Sequence, residues 1–362
     1  LTPFFEKCEL FTARSAGYHN YRIPGVVVTA NGVVLAYCEA RGGTGGDWDP
    51  IDILLRRSRD GGNSWEPPVC IASHRDYGAG PVNNVACIAD RTPGVVHLVY
   101  CHNYARCFYR KSEDDGATFA EPVDITATFD AFRSEYDWNV LATGPGHGTQ
   151  LRNERLVMPV WLSTGGRAHR PSVVSTVYSD DGGRSWERGE MVVRHGERFV
   201  NPSETALVEL SDGSVMANIR SESPEHRRVV AVSPDGATRW SEPAFDDALF
   251  DPVCMGSLGR WSWEPNRILF VHPNTLEQTL PGRWSRAFDR KNVTVRLSED
   301  DGRTWPYAKP VESGPSAYAD LAAAADGTAF CFYECGYVGE RMTDTASLTL
   351  ARFNLAWLLS SE

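Results

Sequence analysis

In the stretch YHNYRIPGVVV, residues 18–28, a single arginine, Arg22, stands in a run of aromatic and β-branched residues that otherwise reads as a buried strand. A guanidinium there calls for a charged partner or an anionic ligand. The chain as a whole is acidic, with 47 Asp and Glu against 36 Lys and Arg and a formal charge of −11. That balance argues against nucleic acid as a partner, because phosphate binding is driven by a basic surface. An acidic protein that holds an anion must do so with a local cluster of cations.

Aspartates recur in a second pattern, which has a different meaning. The octets SRDGGNSW (58–65), SEDDGATF (112–119), SDDGGRSW (179–186) and SEDDGRTW (298–305) share the form S-x-D-x-G-x-x-W/F. A worn copy, SPDGATRW (233–240), carries Ala237 where the others carry the Gly. Ser and Asp can accept hydrogen bonds from the N–H groups of their own turn, Gly supplies a positive φ, and the aromatic folds back as an anchor. The octet is a folding device, so its aspartates are not candidates for chemistry. Nor is it a calcium loop, since the alternating carboxylates that would wrap the ion are missing.

Between the octets lie runs such as GVVVTANGVVLAYCEA and TALVELSDGSVMANIRS, broken by N-G, D-G and T-P-G turns. No long segment has a 3.6-residue period, which predicts an all-β protein. A repeat of roughly 60 residues divides the 362 about six times, and the expected fold is a six-bladed β-propeller of four-stranded antiparallel blades. No Pro/Ser-rich linker interrupts residues 1–362, which are expected to form one domain. No window of about 18 apolar residues suggests a membrane span. No signal peptide is recognisable, and a chain that opens on Leu1 leaves secretion open. The nine cysteines lack zinc spacing, lie mostly in apolar runs, and are expected to be mainly buried free thiols.

Several of these segments together resemble the exo-α-sialidases (neuraminidases) of the bacterial and animal type. The resemblance runs from about residue 8 to 355 and rests on NYRIP (20–24), EAR (39–41), GDWDPIDILLRRSRDGGNSW (46–65), TGPGHGTQL (143–151), NPSETALVELSDGSVMANIR (201–220), RKNVTVRLSEDDGRTW (290–305), GPSAYADL (314–321) and FYECG (332–336). It implies a six-bladed propeller in which the octet is the family's Asp box.

The resemblance also implies a site. A sialidase must hold a carboxylate borne on the anomeric carbon, and bidentate guanidinium groups suit this better than Lys. Arg22, Arg220 and Arg290 match the family's three arginines, and Glu334 matches the carboxylate that steadies the first of them. An anionic nucleophile would approach the substrate's own carboxylate at short range, whereas a neutral phenol avoids that conflict if a base takes its proton. Tyr318 matches the nucleophile and Glu204 its base. Glu209 competes with Glu204 but is expected to face solvent at the outer end of its blade. For the general acid, Asp47 stands nine residues before Arg56, as the family spacing requires, with Asp49 as its rival and Asp52 as a structural residue. Asp47 is expected on an exposed Gly-rich loop that lets it stay protonated or change state as the loop closes. Arg41 and Asn84 match residues near the sugar's 4-hydroxyl. The Pro that usually follows the latter is absent from NNVACIAD (83–90), which leaves the preferred 5-substituent open.

The function so implied is retaining exo-α-sialidase hydrolysis of terminal sialic acids, with sialylated glycoproteins, glycolipids or oligosaccharides as partners and no metal or organic cofactor. The alternatives are a non-catalytic sialic-acid-binding propeller lectin, trans-sialidation, or a preference for deaminated sialic acid. For Arg22, the Pro after Ile23 predicts an extended strand entry.

Overall fold

β-Branched runs separated by Gly-containing turns fold as strands, and the computed structural model, which describes residues 2–280 and 287–360, is almost wholly β. Its α-helices, among the described residues, are the short segments Thr126–Asp130 and Leu355–Leu359. The first sheet runs in chain order through Asn20–Val28, Val34–Arg41, Ile51–Ser58 and Val69–Ala72. The second begins with Val82–Ala89 and gains a short parallel strand, Gly146–His147, on its inner edge. The third is built on Leu156–Ser163 and Ser172–Ser179, and the fourth runs from Thr205–Glu209 to Ala244–Phe250.

The remaining strands form one seven-stranded sheet, so the described residues make five sheets rather than six separate four-stranded units. The reason is the 17-residue strand Tyr307–Ala323. Its first half pairs with Lys291–Ser298 and its second half with Ala329–Tyr337, so two groups of strands share one backbone. Phe5–Thr12 pairs with Thr345–Phe353, which brings the two ends of the described chain into the same sheet.

Central strands such as Val34–Arg41 and Leu156–Ser163 are buried along their whole length, so both faces carry apolar side chains. Those faces meet in clusters that join each sheet to the next. Leu35 and Leu98 share one cluster, Val99 and Met158 a second, Val157 and Leu207 a third, and Val208 and Phe270 a fourth. Leu269 and Tyr333 join the two halves of the large sheet, and Phe330 and Leu350 pack on Val34 and Leu54 of the first. Each fully buried aliphatic side chain contributes about 1.5–3 kcal/mol.

The octets close hairpins as their chemistry predicts. In the first, Gly62 N donates to Ser58 Oγ at 2.8 Å, and Asp60 accepts from Ser64 N at 2.8 Å and Ser64 Oγ at 2.6 Å. The copies at 112, 179 and 298 repeat these bonds. In the worn copy the Gly moves one position forward, to Gly236, and the turn is one residue tighter, with Thr238 N bonding Asp235. All nine cysteines are free, six of them buried.

Two local expectations are corrected. Ile23 is not extended: its φ is +57°, and the register slips between Arg22 and Gly25 in a β-bulge. The pre-proline preference is overridden because Ile23 N donates to Glu334 Oε1 at 3.2 Å and the Ile23 side chain packs with Met255 and Tyr318. Glu209 does not face solvent. It is buried and accepts from Arg152 N at 2.8 Å and Arg152 Nε at 2.9 Å.

Candidate active site

Strand termini from all five sheets open into a cavity of about 290 Å³. Arg22, Arg41, Asp47, Asn84, Glu204, Arg220, Arg290 and Tyr318 all line it, although they are spread over nearly 300 residues. Glu334 lies immediately behind them.

Arg22 leaves the bulge at the start of its strand, and the Glu334 carboxylate holds it in a two-point pair, Nε to Oε1 at 2.9 Å and Nη2 to Oε2 at 3.3 Å. Both side chains are almost fully buried. Burial works against the Arg22 charge, but the Glu334 carboxylate outweighs it and raises the guanidinium above its ordinary value. Arg290 sits at the mouth of Lys291–Ser298 and has no carboxylate partner among the described residues; its guanidinium donates to Val253 O at 3.4 Å. The Arg22 and Arg290 guanidinium carbons lie 5.1 and 5.2 Å from the Tyr318 ring centre.

Glu204 and Arg220 flank the hairpin of the fourth sheet, where Arg220 N donates to Glu204 O at 2.9 Å and Ser203 N to Arg220 O at 3.0 Å. This ladder fixes their side chains together. The Tyr318 hydroxyl donates to Glu204 Oε1 and accepts from Arg220 Nη1 at 2.7 Å, while the same Nη1 also bonds Glu204 Oε2. Burial pushes the Tyr318 phenol up; Arg220 and Arg290 pull against this, and the Glu204 charge adds to it. The phenol therefore rests neutral, with its proton already directed at a carboxylate.

Across the cavity, Asp47 occupies the loop after Val34–Arg41. Arg41 donates to it from Nη1 at 2.7 Å and to Glu39 Oε2 from Nε and Nη2 at 3.0 and 2.6 Å. The Asp47 side chain is half exposed at the cavity mouth; the surrounding protein opposes its charge, but Arg41 first and Arg22 second hold the carboxyl well below the usual range. In the free protein Asp47 is thus ionised, so of the two expected routes, standing protonation or a change of state, the first does not hold. The loop is also pinned. Asp49 accepts from Thr44 N and Gly46 N at 2.8 and 2.9 Å, and the Trp48 ring lies 4.6 Å from Tyr104. Asp49 is consumed in building the loop, and Asp52 accepts from Tyr18, Ser73 and His74, as its structural reading anticipated.

Sequence reasoning missed Glu39, Tyr104, Trp161, His169, Arg170, Asn201 and Glu222, all of which line the cavity. Glu39 was legible: it stands two residues before Arg41 on one strand, hence on the same face. It also accepts from Asn84 N at 2.8 Å, which fixes Asn84 at a φ of +52°. The side-chain N–H groups of Asn84 and Trp161 are buried without a partner among the described residues. This end of the cavity therefore offers hydrogen-bond donors between aromatic walls.

Residues 35–331 match the BNR repeat-like domain family. A sialidase of Micromonospora viridifaciens is 31% identical, over 98% of this chain and 55% of its own length. A sialidase of Bacteroides fragilis is 28% identical, over 81% of this chain and 56% of its own length. The chain spans a little over half the length of these two relatives. Among solved structures, a Hadza microbial sialidase superposes with a TM-score of 0.79 at 25% identity, covering 98% of this chain and 69% of that one.

Proposed function

The chain belongs to the sialidase family, and on that premise we propose that it is a retaining exo-α-sialidase that removes terminal sialic acids from glycoproteins, glycolipids or oligosaccharides. The observation that carries the reading is the Tyr318 phenol held between Glu204 and Arg220, among three arginines and opposite Asp47.

Arg22, Arg220 and Arg290 clamp the sugar carboxylate and leave the anomeric carbon over Tyr318. In the first step the phenol oxygen attacks that carbon as Glu204 takes its proton. The glycosidic bond breaks, and the leaving oxygen takes a proton from Asp47. In the second step Asp47 removes a proton from water, the water oxygen attacks the same carbon, and the phenolate leaves and recovers its proton from Glu204. Two displacements retain the configuration. The bound carboxylate supplies the charge that makes Asp47 protonatable, because it offsets Arg22, one of the cations that hold Asp47 ionised in the free protein. The donors of Asn84 and Trp161 suit an acceptor-rich 5-substituent such as an N-acyl carbonyl. Neither step calls on a cofactor. Among the described residues no helix is long and apolar enough to cross a membrane.

The same reading makes the fold a single six-bladed propeller over residues 1–362. Dividing Tyr307–Ala323 between its two partners yields six groups of strands, and the cluster of Phe330 with Val34 supports closure of the last group on the first.

The test is release of fluorophore from an α-sialoside, with the first-formed sugar followed by NMR and a 5-hydroxy analogue run in parallel. The expected result is turnover with the α-anomer appearing first and the N-acyl substrate preferred. No release from either substrate would overturn the enzymatic reading.

A further inference from the structure

Two residues beyond Tyr318 on the strand Tyr307–Ala323, Asp320 is fully buried. Its Oδ2 accepts from Val26 N at 2.9 Å, and its Oδ1 accepts from Ser257 Oγ at 2.6 Å and lies 2.8 Å from His147 Nδ1. A lone buried carboxylate is costly, and these three contacts satisfy it. Burial works against protonation of His147, but the Asp320 charge outweighs it and raises the imidazole above its ordinary value.

The partners come from separate parts of the fold, and each belongs to a segment that serves the site. Val26 lies four residues beyond Arg22 on the same strand. Ser257 opens a strand just after Val253, whose carbonyl accepts from Arg290. His147 lies on the short strand Gly146–His147, paired in parallel with Ala86 and Cys87 just beyond Asn84. The approach demands a glycine before it: a Cβ on Gly146, whose φ is +88°, would stand 2.8 Å from Met255 Cε and 3.0 Å from Asp320 Oδ1. Gly146 O is in turn held by the Tyr37 hydroxyl at 2.7 Å, and Thr143 Oγ1 bonds Asn84 O. The segment TGPGHGTQL, which had no assigned task, thus delivers one imidazole to one carboxylate.

We propose that Asp320, braced by His147, is a positioning residue that sets the placement of Tyr318 relative to Arg22. This rests on the sialidase reading of the same site. Arginine side chains are long and can follow a small backbone shift, whereas attack by the phenol oxygen needs a fixed distance and line. Loss of the brace therefore acts on the chemical step more than on binding of the carboxylate.

The experiment compares Asp320→Asn, His147→Ala and His147→Asn with the native protein, each checked for folding by thermal melting. The expected result is a fall in kcat of about 10-fold or more in Asp320→Asn and His147→Ala, with KM changed less than about threefold. His147→Asn, which can place an amide N–H near the Nδ1 position, restores most of what His147→Ala loses. Native kcat in folded Asp320→Asn and His147→Ala, or KM rising as much as kcat falls, overturns the proposal. Should Asp320→Asn fail to fold, the two His147 variants decide it alone. Hydrogen exchange at Val26 N–H reads the brace without turnover. It is expected to be slower in the native protein than in His147→Ala by about 10-fold or more, and equal rates count against the brace. A native protein that neither turns over nor binds a sialic acid analogue counts against the sialidase reading instead.

Discussion

Arg41 donates Nη1–H to the Asp47 carboxylate at 2.7 Å, so the group assigned as proton donor enters the reaction cycle ionised. Its protonation must then depend on what the cavity contains. A sugar carboxylate on Arg22 weakens one of the attractions that depress Asp47, so the bound complex protonates Asp47 at a higher pH than the free protein does. Activity is lost as pH rises past that point. The alkaline limb of kcat, which reports the complex, is expected at a pH higher than the alkaline limb of kcat/KM by about one unit or more. Coincident limbs in steady-state profiles would sink this coupling.

Asp47→Asn removes the donor without changing the shape of the side chain. With a sugar as leaving group kcat is expected to fall by about 10²–10⁴-fold. With an acidic phenol, which leaves without a proton, the loss is expected to be far smaller. Equal losses on both substrates, measured side by side, would take Asp47 out of the acid role.

The Arg22–Glu334 pair is buried on both sides, and Glu334→Gln leaves an uncompensated buried cation. The expected cost is about 3–5 kcal/mol in urea unfolding. An anionic sugar supplies the missing charge, so it should raise the melting temperature of the variant more than that of the native protein. An unchanged unfolding midpoint would show that Arg22 does not depend on Glu334.

Asp114 serves its turn, accepting from Thr118 Oγ1 at 2.7 Å and from Thr118 N and Ser112 Oγ at 2.8 Å; burial works against its charge, but these bonds hold its carboxyl below the usual range. A group depressed in this way stabilises the fold above its unfolded pKa of about 3.9 and loses that contribution as pH falls. Asp114→Ala is expected to melt earlier at neutral pH, with the difference shrinking in acid, and to keep the native kcat. A lost kcat in the folded variant would give the octet a part in the chemistry.

Much of the site was legible because its members sit in short motifs that carry the family resemblance: Arg22 in NYRIP, Arg220 in MANIR, Tyr318 in GPSAY. What stayed hidden depends on contacts between sheets. Ile23 adopts a left-handed backbone because Glu334, over 300 residues away, accepts its N–H, and no local rule carries that information. Glu209 reads as a strand-end residue, yet Arg152 from the preceding sheet buries it. Trp161 reaches the cavity from the third sheet, where its apolar surroundings read as core, and His169 reaches it from the loop that follows that strand, where TGGRAHRPS reads as a plain connection. The octet spacing predicts six separate units, but it could not show that Tyr307–Ala323 runs unbroken between two groups of strands and merges them into one sheet.

The central claim is that Tyr318 forms the bond to the sugar. The most direct measurement is mass spectrometry of protein quenched during turnover of a slow fluorinated sialoside, followed by proteolysis. The account predicts a mass gain of one sugar on the peptide containing Tyr318, absent from Tyr318→Phe. An adduct on Glu204 or Asp47, or turnover by Tyr318→Phe at the native rate, would contradict it.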